Sequence, residues 1–303
     1  MRKADITVDV VACLVSSQFP EWSGLEIRPV ELDGWDNTTF RLGDDKSARL
    51  PSHERYVPQI DKEHRWLPVL APQLPLPIPQ PIAKGAPGCG FPTPWSIYRW
   101  LPGEPAAVTG VGDDERLAED VARFLSALQR VSTDGGPPAG AHSFNRGGPV
   151  AVWDEQTRAT IAEGGDEIDR DGALAVWEAA LAAPWDGPDV WVHGDMTGSN
   201  LLLREDRLCG VIDFGCAAVG DPACDLTPAW TLFDGDSRQR FRSSVRADAG
   251  TWARARGWAL WKALIDIPRR PPDDPGRTGA RFGWKWDAPG VVEQAIADHL
   301  ASG

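Results

Sequence analysis

The chain has no apolar run long enough to span a membrane, so we expect no membrane-spanning helix. At its start, Asp5 and Asp9 interrupt the apolar residues, which rules out the continuous apolar stretch of a signal peptide. Ile6, Val10 and Leu14 instead fall on one face of a helix. We therefore predict a first helix and a cytoplasmic protein without a membrane partner.

Cysteine is sparse, and its positions show no pattern of a metal site or a disulfide framework. The five cysteines are Cys13, Cys89, Cys209, Cys216 and Cys224. Their spacings match neither a zinc site nor a set of paired cysteines. We therefore expect reduced thiols, which agrees with a cytoplasmic location.

Basic residues are outnumbered by acidic ones. Lys and Arg total 31 and Asp and Glu total 44, which gives a formal net charge of -13 at pH 7. A surface of this sign repels nucleic acid and acidic membranes and attracts cationic small molecules. Solubility alone also explains an acidic balance, so the charge favours a cationic partner only modestly. The length of 303 residues is ample for a sizeable core.

The most informative segment reads WVHGDMTGSNLLLREDRLCGVIDFGCAAVGDPACDL and begins at Trp191. Its two short apolar runs, 201–203 and 208–212, are joined by a charged tetrad, which predicts a β-hairpin. Asn200 precedes the first strand and Asp213 follows the second, so both side chains are expected at the same end of the hairpin. Asp195 is five residues before Asn200 and can reach the same point.

Two carboxylates and an amide at one point suit metal-assisted phosphoryl transfer. Mg²⁺ prefers oxygen ligands, so Asn200 and Asp213 are the candidate metal ligands. Asp195 is then free to orient an attacking hydroxyl and to accept its proton. Taken alone, His-Gly-Asp is also typical of a tight turn with a capping aspartate, and Asp-Phe-Gly of a strand end before a glycine turn. Their joint occurrence with Asn200 favours catalysis.

These residues carry a family resemblance. His193-Gly-Asp195 with Asn200, then Ile212-Asp-Phe-Gly, then Gly220-Asp-Pro-Ala, resembles the catalytic block of the aminoglycoside phosphotransferase family. That family is related to choline and fructosamine kinases and, more distantly, to protein kinases. The resemblance implies an α+β, protein-kinase-like bilobal fold. Its small β-rich N-terminal lobe, residues 1–101, would bind the nucleotide. Its larger, mainly helical C-terminal lobe, residues 102–303, would bind the substrate and carry catalysis.

The resemblance also implies residue roles. Asp195 matches the catalytic aspartate, Asn200 and Asp213 match the metal ligands, and His193 matches the histidine that braces the catalytic loop. Ile212, beside Asp213, is the expected nucleotide contact from this segment. Two further aspartates match acidic positions that hold the C-terminal lobe together, namely Asp221 and Asp225.

The N-terminal part contains a turn leading into one strand, residues 34–42, and a second strand at 48–50. Units of this kind cover nucleotide phosphates in kinase-like folds, and Asn37 and Thr38 would offer donors there, although the signal is weak by itself. Arg49 stands where protein kinases have lysine, and a guanidinium can bind phosphate in a bidentate fork. Glu63, on a predicted helix, is the candidate partner of Arg49; the alternative is a solvated glutamate on a helix face.

The segment 68–94 has nine prolines, which we interpret as restricting loops inside the small lobe. It leads into a predicted buried strand that starts at Trp95 and ends in a turn. In the kinase-like architecture this strand leads to the hinge, where backbone groups of Arg99, Trp100 and Leu101 would contact the purine base.

The rest of the chain has helical periodicity. The clearest helix starts near Asp114, with Asp113 as a candidate N-cap, and others are predicted at 150–161, 172–181, 238–267 and 291–300. Two groups could line the acceptor site. The carboxylates Asp154, Glu155, Asp166, Glu167, Asp169 and Asp171 could bind ammonium groups, or form a solvated loop. The tryptophans Trp252, Trp258, Trp261, Trp284 and Trp286 could pack on a sugar, or belong to the core.

The sequence thus predicts a kinase that uses ATP or GTP and Mg²⁺ to phosphorylate a hydroxyl of a small molecule, in the first place an aminoglycoside-type antibiotic. The C-terminal region lacks an obvious acidic cluster, so a metabolic kinase for a sugar or a choline-type amino alcohol, or a macrolide kinase, stays open. A nucleotide-binding pseudokinase module is the alternative of another class. Intact Asp195, Asn200 and Asp213 oppose it, and only Arg49 in place of lysine supports it.

Overall fold

A computed structural model describes residues 3–30, 34, 36–109, 114–164, 168–267 and 287–302. The chain divides into two compact units. The first comprises Met1–Pro102 together with Val211–Gly215, and the second comprises Gly103–Gly210 together with Cys216–Gly303. The boundary that we predict at residue 101 assigns 211–215 to the C-terminal lobe, whereas these residues cluster with the first unit. The roles of the two units stay predictions.

The first unit is built on a five-stranded antiparallel sheet of order β1-β2-β3-β5-β4. Its elements are α1 (Val8–Gln18), β1 (Ile27–Pro29), β2 (Asn37–Leu42), β3 (Lys46–Pro51), α2 (Val57–Leu70), β4 (Pro81–Gly85) and β5 (Trp95–Arg99). The core residues of these strands lie at alternate positions, Phe40 and Leu42 in β2 and Ala48 and Leu50 in β3, and they pack with α1 residues such as Leu14. A Cβ at Gly85 would lie 2.1 Å from the ring of Trp95, so only glycine lets β4 approach this fully buried tryptophan.

The cysteine prediction was wrong for one pair. Cys13 in α1 and Cys89, in the turn between β4 and β5, form a disulfide with a Cα–Cα distance of 6.0 Å. The two residues are 76 positions apart in the sequence, so spacing could not show that the packing of α1 brings them together. Among the described residues, Cys209, Cys216 and Cys224 form no disulfide.

The second unit is mainly helical. Its elements are β6 (Glu104–Pro105), α3 (Ala106–Thr109), α4 (Glu115–Leu128), α5 (Asp154–Glu163), α6 (Arg170–Leu181), β7 (Val190–Val192), β8 (Leu201–Arg204), β9 (Arg207–Val211), β10 (Ala218–Gly220), α7 (Pro228–Thr231), α8 (Gly235–Ser244), α9 (Ala249–Asp266) and α10 (Ala288–Ser302). The N-cap of α4 is Asp114, whose carboxylate accepts from Arg116 N and Leu117 N. The predicted cap Asp113 lies outside the described residues.

α9 forms the centre of the second unit. Twelve of its 18 residues are buried, since α6 and α10 both pack on it. Its charged residues Arg254 and Arg256 are buried as well and are compensated by carboxylates, Asp221 for Arg254 and Asp298 for Arg256. In the parts of the chain that the structure describes, no helix is both long and apolar enough to cross a membrane.

The predicted hairpin is present as β8 and β9, which extend a small sheet of order β6-β8-β9. Its turn residues Glu205 and Asp206 have φ values of 51° and 57°. Two consecutive residues with positive φ are typical of the two-residue type I′ turn, which fits the twist of a hairpin. The hairpin therefore places Asn200 just before one strand and Asp213 two residues after the other.

Candidate active site

The loop after β7 is anchored by a buried carboxylate. The backbone N–H groups of His193 and Gly194 each donate to Asp225, at 2.7 Å to Oδ2 and 2.7 Å to Oδ1. His193 and Asp225 are fully buried, and the His193 ring accepts from the N–H of Asp195 at 3.2 Å. Burial raises the pKa of Asp225, while His193 and the two N–H groups act against that rise. The contacts of Asp225 and His193 therefore fix the backbone that carries Asp195.

Gly194 is required by this loop for two reasons. Its φ of +82° lies in the left-handed region, and an added Cβ would lie 2.7 Å from the carbonyl oxygen of Cys216. We expect Gly194→Ala to lower the free energy of unfolding by about 2 kcal/mol. We also expect turnover to fall about a hundredfold because Asp195 moves. Urea unfolding and steady-state kinetics measure these effects.

Gly90 provides the matched control for Gly194→Ala. Its φ is +78°, but an added Cβ would meet nothing within 4 Å. Gly90→Ala should therefore lower stability by only about 1 kcal/mol and leave turnover unchanged. Equal effects of the two variants on turnover would contradict the role given to the Gly194 loop.

Asn200 is hydrogen-bonded to Asp195. Its Nδ2 donates to the backbone oxygen of Asp195 at 2.8 Å and to Oδ2 of the carboxylate at 3.2 Å. The amide nitrogen is thus turned toward Asp195, which leaves the amide oxygen as a hard donor for a cation. This chemistry fits a Mg²⁺ ligand. The described residues include no group of three or more His, Cys, Asp or Glu side chains that could hold a metal ion by themselves.

A lysine that the sequence analysis missed contacts the other oxygen of Asp195. Lys262 in α9 donates from Nζ to Oδ1 at 2.6 Å, and the Asp195 side chain is 32% exposed. Burial acts to raise the pKa of Asp195, but Lys262, with Arg146 and His193, lowers it to about 2. Asp195 is therefore ionised throughout the neutral range. No local motif marks Lys262, because it reaches the loop from a helix 67 residues further along the chain.

In the first unit, Arg49 lies between two carboxylates. Its Nη2 is 3.3 Å from Oδ1 of Asp213, and its Nη1 is 3.6 Å from Oε1 of Glu63. Tyr98 donates its hydroxyl to Oε2 of Glu63, and the Arg49 guanidinium lies 5.4 Å from the Tyr98 ring centroid. The predicted Arg49–Glu63 partnership is thus present, and Glu63 is buried rather than solvated. Tyr98 is the member of this cluster that the sequence analysis missed.

The charges in this cluster shift each other's ionisation. Burial acts to lower the pKa of Arg49, but Glu63 and Asp213 raise it above its ordinary value. Burial raises the pKa of Glu63 against the attraction of Arg49, and burial followed by Glu63 raises the pKa of Tyr98. The guanidinium therefore stays charged, as a group that holds phosphate must.

Asp213 has an unusual backbone conformation. Its φ is +66°, in the left-handed region that non-glycine residues rarely adopt, and such residues occur disproportionately at functional sites. The segment is held next to α2, because Lys62 donates from Nζ to the carbonyl oxygen of Gly215 at 2.7 Å. Ile212 is half-buried beside it. Arg49 takes Oδ1 of Asp213, so Oδ2 is the oxygen available to a cation.

The other predicted nucleotide contacts lie at the ends of strands in the first unit. Asn37 and Thr38 begin β2, where Thr38 Oγ1 is buried without a hydrogen-bond partner among the described residues. At the predicted hinge, the N–H of Arg99 donates to Gln80 O and that of Trp100 to Asp45 O, each at 2.8 Å. These two N–H groups are therefore engaged within the unit.

Leu101 follows at the hinge and is half-buried. The Trp100 ring stacks under the Arg41 guanidinium at 4.1 Å. These contacts fix the conformation of the predicted hinge, and contact with a purine base stays a prediction.

Two of the six carboxylates considered for the acceptor site are engaged elsewhere. Asp154 accepts from Arg158 and from the Trp177 indole, each at 2.7 Å, and Asp169 caps α6. Glu155 and Asp171 are exposed, in the first turns of α5 and α6. The remaining two, Asp166 and Glu167, lie outside the described residues. These contacts favour the structural alternative for this group.

The tryptophans considered for the acceptor site belong to the core where they are described. Trp252, Trp258 and Trp261 are 8%, 2% and 3% exposed. Trp261 stacks on Trp153 with ring centroids 4.8 Å apart. The other two candidates, Trp284 and Trp286, lie outside the described residues.

Comparisons with known proteins agree with this geometry. Residues 26–258 match the model of the phosphotransferase enzyme family, APH. No curated protein matches the chain. The structure of APH(2")-IIia with GDP and kanamycin is 18% identical, covers 96% of this chain and 98% of that one, and gives a TM-score of 0.71. The macrolide 2'-phosphotransferase MphH from Brachybacterium faecium is 21% identical over 94% and 98% of the two chains, with a TM-score of 0.61.

A third similar structure is that of APH(2")-IIa with streptomycin and ATP, at 17% identity over 98% of this chain and 97% of that one, with a TM-score of 0.60. At such identities the likeness to solved structures shows the fold, and the family model covers most of the chain. The prediction of an α+β, protein-kinase-like fold is confirmed. The chain belongs to the phosphotransferase enzyme family.

Proposed function

We propose that the chain transfers the terminal phosphate of ATP or GTP to a hydroxyl of a small molecule. The observation that carries this proposal is the environment of Asp195, an ionised carboxylate on a loop fixed by Asp225 and joined to Asn200. The acceptor oxygen bonds to the terminal phosphorus while the bond from this phosphorus to the bridging oxygen breaks. The electron pair leaves with the nucleoside diphosphate, and Asp195 accepts the hydroxyl proton.

The remaining site residues take the roles that the sequence suggests. Arg49, kept charged by Glu63 and Asp213, holds phosphate oxygens with its remaining donors, because a guanidinium has five N–H groups. Asn37, Thr38 and the hinge are proposed to contact the nucleotide. Asn200 and Asp213 supply an amide oxygen and a carboxylate oxygen to Mg²⁺, which when bound neutralises phosphate charge. His193 positions the catalytic loop.

We propose that the protein acts in the cytoplasm, where nucleotide and Mg²⁺ are supplied. In that compartment thiols are normally kept reduced, so Cys13 and Cys89 would be expected as a dithiol there. The proposed acceptor is a small molecule, and neither nucleic acid nor a membrane is part of the proposal.

Two acceptor classes are supported by different observations. Similar solved structures are complexes with kanamycin, streptomycin and gentamicin, which supports an aminoglycoside-type antibiotic as the acceptor. The contact of Lys262 with Asp195 instead supports a metabolic acceptor without several positive charges, because ammonium groups would be repelled there. The sequence-based expectation of a cationic acceptor therefore has one supporting and one opposing observation.

Release of nucleoside diphosphate with a panel of hydroxyl compounds tests the proposal. The panel contains aminoglycosides, macrolides, choline and sugars or sugar acids, with ATP or GTP and with Mg²⁺ present or chelated. We expect acceptor-dependent release of ADP or GDP and a phosphorylated product that mass spectrometry detects. Nucleotide binding without turnover of any compound would favour the pseudokinase alternative.

A further inference from the structure

Two cations surround the carboxylate that is proposed to accept the proton. Lys262 contacts Oδ1 of Asp195 at 2.6 Å. Arg146 packs against the same loop. Its Cβ lies 2.9 Å from the position that a Cβ would take at Gly194. Asp195 is therefore influenced by two positive side chains, while the nearby carboxylate of Asp225 is bound to the N–H groups of His193 and Gly194.

The guanidinium of Arg146 packs against two tryptophan rings. Its Cζ lies 4.3 Å from the Trp261 ring centroid and 5.6 Å from that of Trp258. Both rings are nearly fully buried, so the position of the guanidinium is fixed by the core of the second unit. Arg146 is therefore preorganised before any ligand binds.

Arg146 also has a donor in need of an acceptor. Its Nη1 is buried and has no hydrogen-bond partner among the described residues. A buried charged donor is normally satisfied, and an exception calls for a ligand. Lys262 is similar, since an ammonium has three N–H donors and Asp195 takes one of them. The unused donors of both residues suit the oxygens of an anion.

Three buried or half-buried carboxylates of the second unit are engaged with other groups. Asp225 binds two backbone N–H groups, Asp221 pairs with Arg254, and Asp154 pairs with Arg158. A polycationic acceptor would have to approach Asp195 against Lys262 and Arg146. An anionic group on the acceptor would instead gain two charged partners.

We propose that Arg146 and Lys262 form an anion-binding subsite beside Asp195, which binds a carboxylate or phosphate carried by the acceptor close to its reacting hydroxyl. This inference rests on the proposed phosphotransferase function and names its substrate class, an acidic polyol or hydroxy acid. Aromatic packing orients Arg146, and Lys262 connects the anion to the group that receives the proton.

Matched acceptors test the substrate class. Glucosamine, glucose and glucuronic acid form one series, and 3-amino-1,2-propanediol, glycerol and glycerate form another, each with amine, neutral and acidic members. We expect the acidic member to have a kcat/KM about tenfold above the neutral one, because each charged hydrogen bond contributes on this scale. Equal use of acidic and neutral members, or preference for the amines, would overturn the inference. Equal kcat/KM values for acidic and neutral acceptors would also mean that Arg146 and Lys262 interact only with the transferred phosphate.

Variants at position 262 test whether Lys262 causes the preference for acidic acceptors. Lys262→Arg should keep the preference for acids, Lys262→Met should remove it, and Lys262→Glu should shift it toward amines. Arg130 is exposed and forms no ion pair among the described residues, so Arg130→Met removes the same charge and should leave the preference unchanged. A preference that survives Lys262→Glu would contradict the proposal even if turnover falls.

A measurement of anion binding tests the subsite independently of the proposed phosphotransferase reaction. Sulfate is titrated calorimetrically into the full chain carrying Arg49→Ala, which removes the proposed grip on nucleotide phosphate. We expect binding in this background and its loss when Arg146→Met and Lys262→Met are added. Absence of sulfate binding in the first protein overturns the subsite. Sulfate binding that depends on Arg146 and Lys262, with no turnover of any acceptor, supports the subsite and rejects the phosphotransferase reaction.

Discussion

Asp195→Asn is expected to lower kcat about a thousandfold. The substitution keeps the size of the side chain but removes the charge that is proposed to orient a hydroxyl and accept its proton. Nucleotide affinity should stay within a factor of about two. The residues that are proposed to bind the nucleotide phosphates, Arg49 and Glu63, belong to the first unit, whereas Asp195 belongs to the second. Single-turnover phosphate transfer and nucleotide binding by fluorescence titration measure the two quantities separately.

The folded state should tolerate Asp195→Asn. The ion pair with Lys262 is partly exposed, at 20% and 32% for the two side chains, so its loss should change stability by less than about 1 kcal/mol. Asp206→Asn, in the exposed hairpin turn where positive φ suits asparagine, is the matched control and should leave kcat unchanged. Near-normal turnover of Asp195→Asn would contradict the proposal that Asp195 accepts the proton.

Arg254→Met is expected to lower the free energy of unfolding of the second unit by about 4 kcal/mol. Arg254 donates to Asp221 from Nε at 2.7 Å and from Nη2 at 3.2 Å, and both side chains are less than 5% exposed. Further donors bind Ala183 O and Thr251 Oγ1. Removing the guanidinium leaves the Asp221 charge buried without its cation. Urea unfolding followed by circular dichroism measures the loss.

Two comparisons isolate the buried charge as the cause. Adding Asp221→Asn to Arg254→Met should recover much of the stability, because the neutral amide can still accept from the N–H of Ala223. Arg158→Met breaks ion pairs of the same 2.7 Å distance with Asp154 and Glu178, but on the exposed surface, and should leave stability nearly unchanged. Equal losses for Arg158→Met and Arg254→Met would contradict this explanation.

The features predicted correctly are those encoded by neighbouring residues. The β8–β9 hairpin follows from two apolar runs around a charged turn, and α4 follows from apolar residues at helical spacing. The contact between Asn200 and Asp195 is likewise local, since five positions separate the residues. Short-range periodicity and motif spacing are sufficient for such features.

The features that were missed depend on tertiary packing. Lys262 and Arg146 reach the Asp195 loop from distant segments, and nothing around either residue in the sequence marks it as part of a site. Tyr98 lies in the predicted buried strand, and nothing in the local pattern indicates that its hydroxyl binds Glu63. The position of residues 211–215 in the first unit is also a property of the packed structure, because it depends on contacts with α2 rather than on the motif itself.

The Cys13–Cys89 disulfide turns most of the first unit into a covalent ring. β1 to β3, α2 and β4 all lie within the 76-residue interval that it closes. A single protease cut inside this interval therefore leaves both fragments attached, and they separate on a denaturing gel only after reduction. The strands that precede the predicted hinge are thus joined to α1 by a bond as well as by packing, and the redox state of the surroundings sets whether the ring is open or closed.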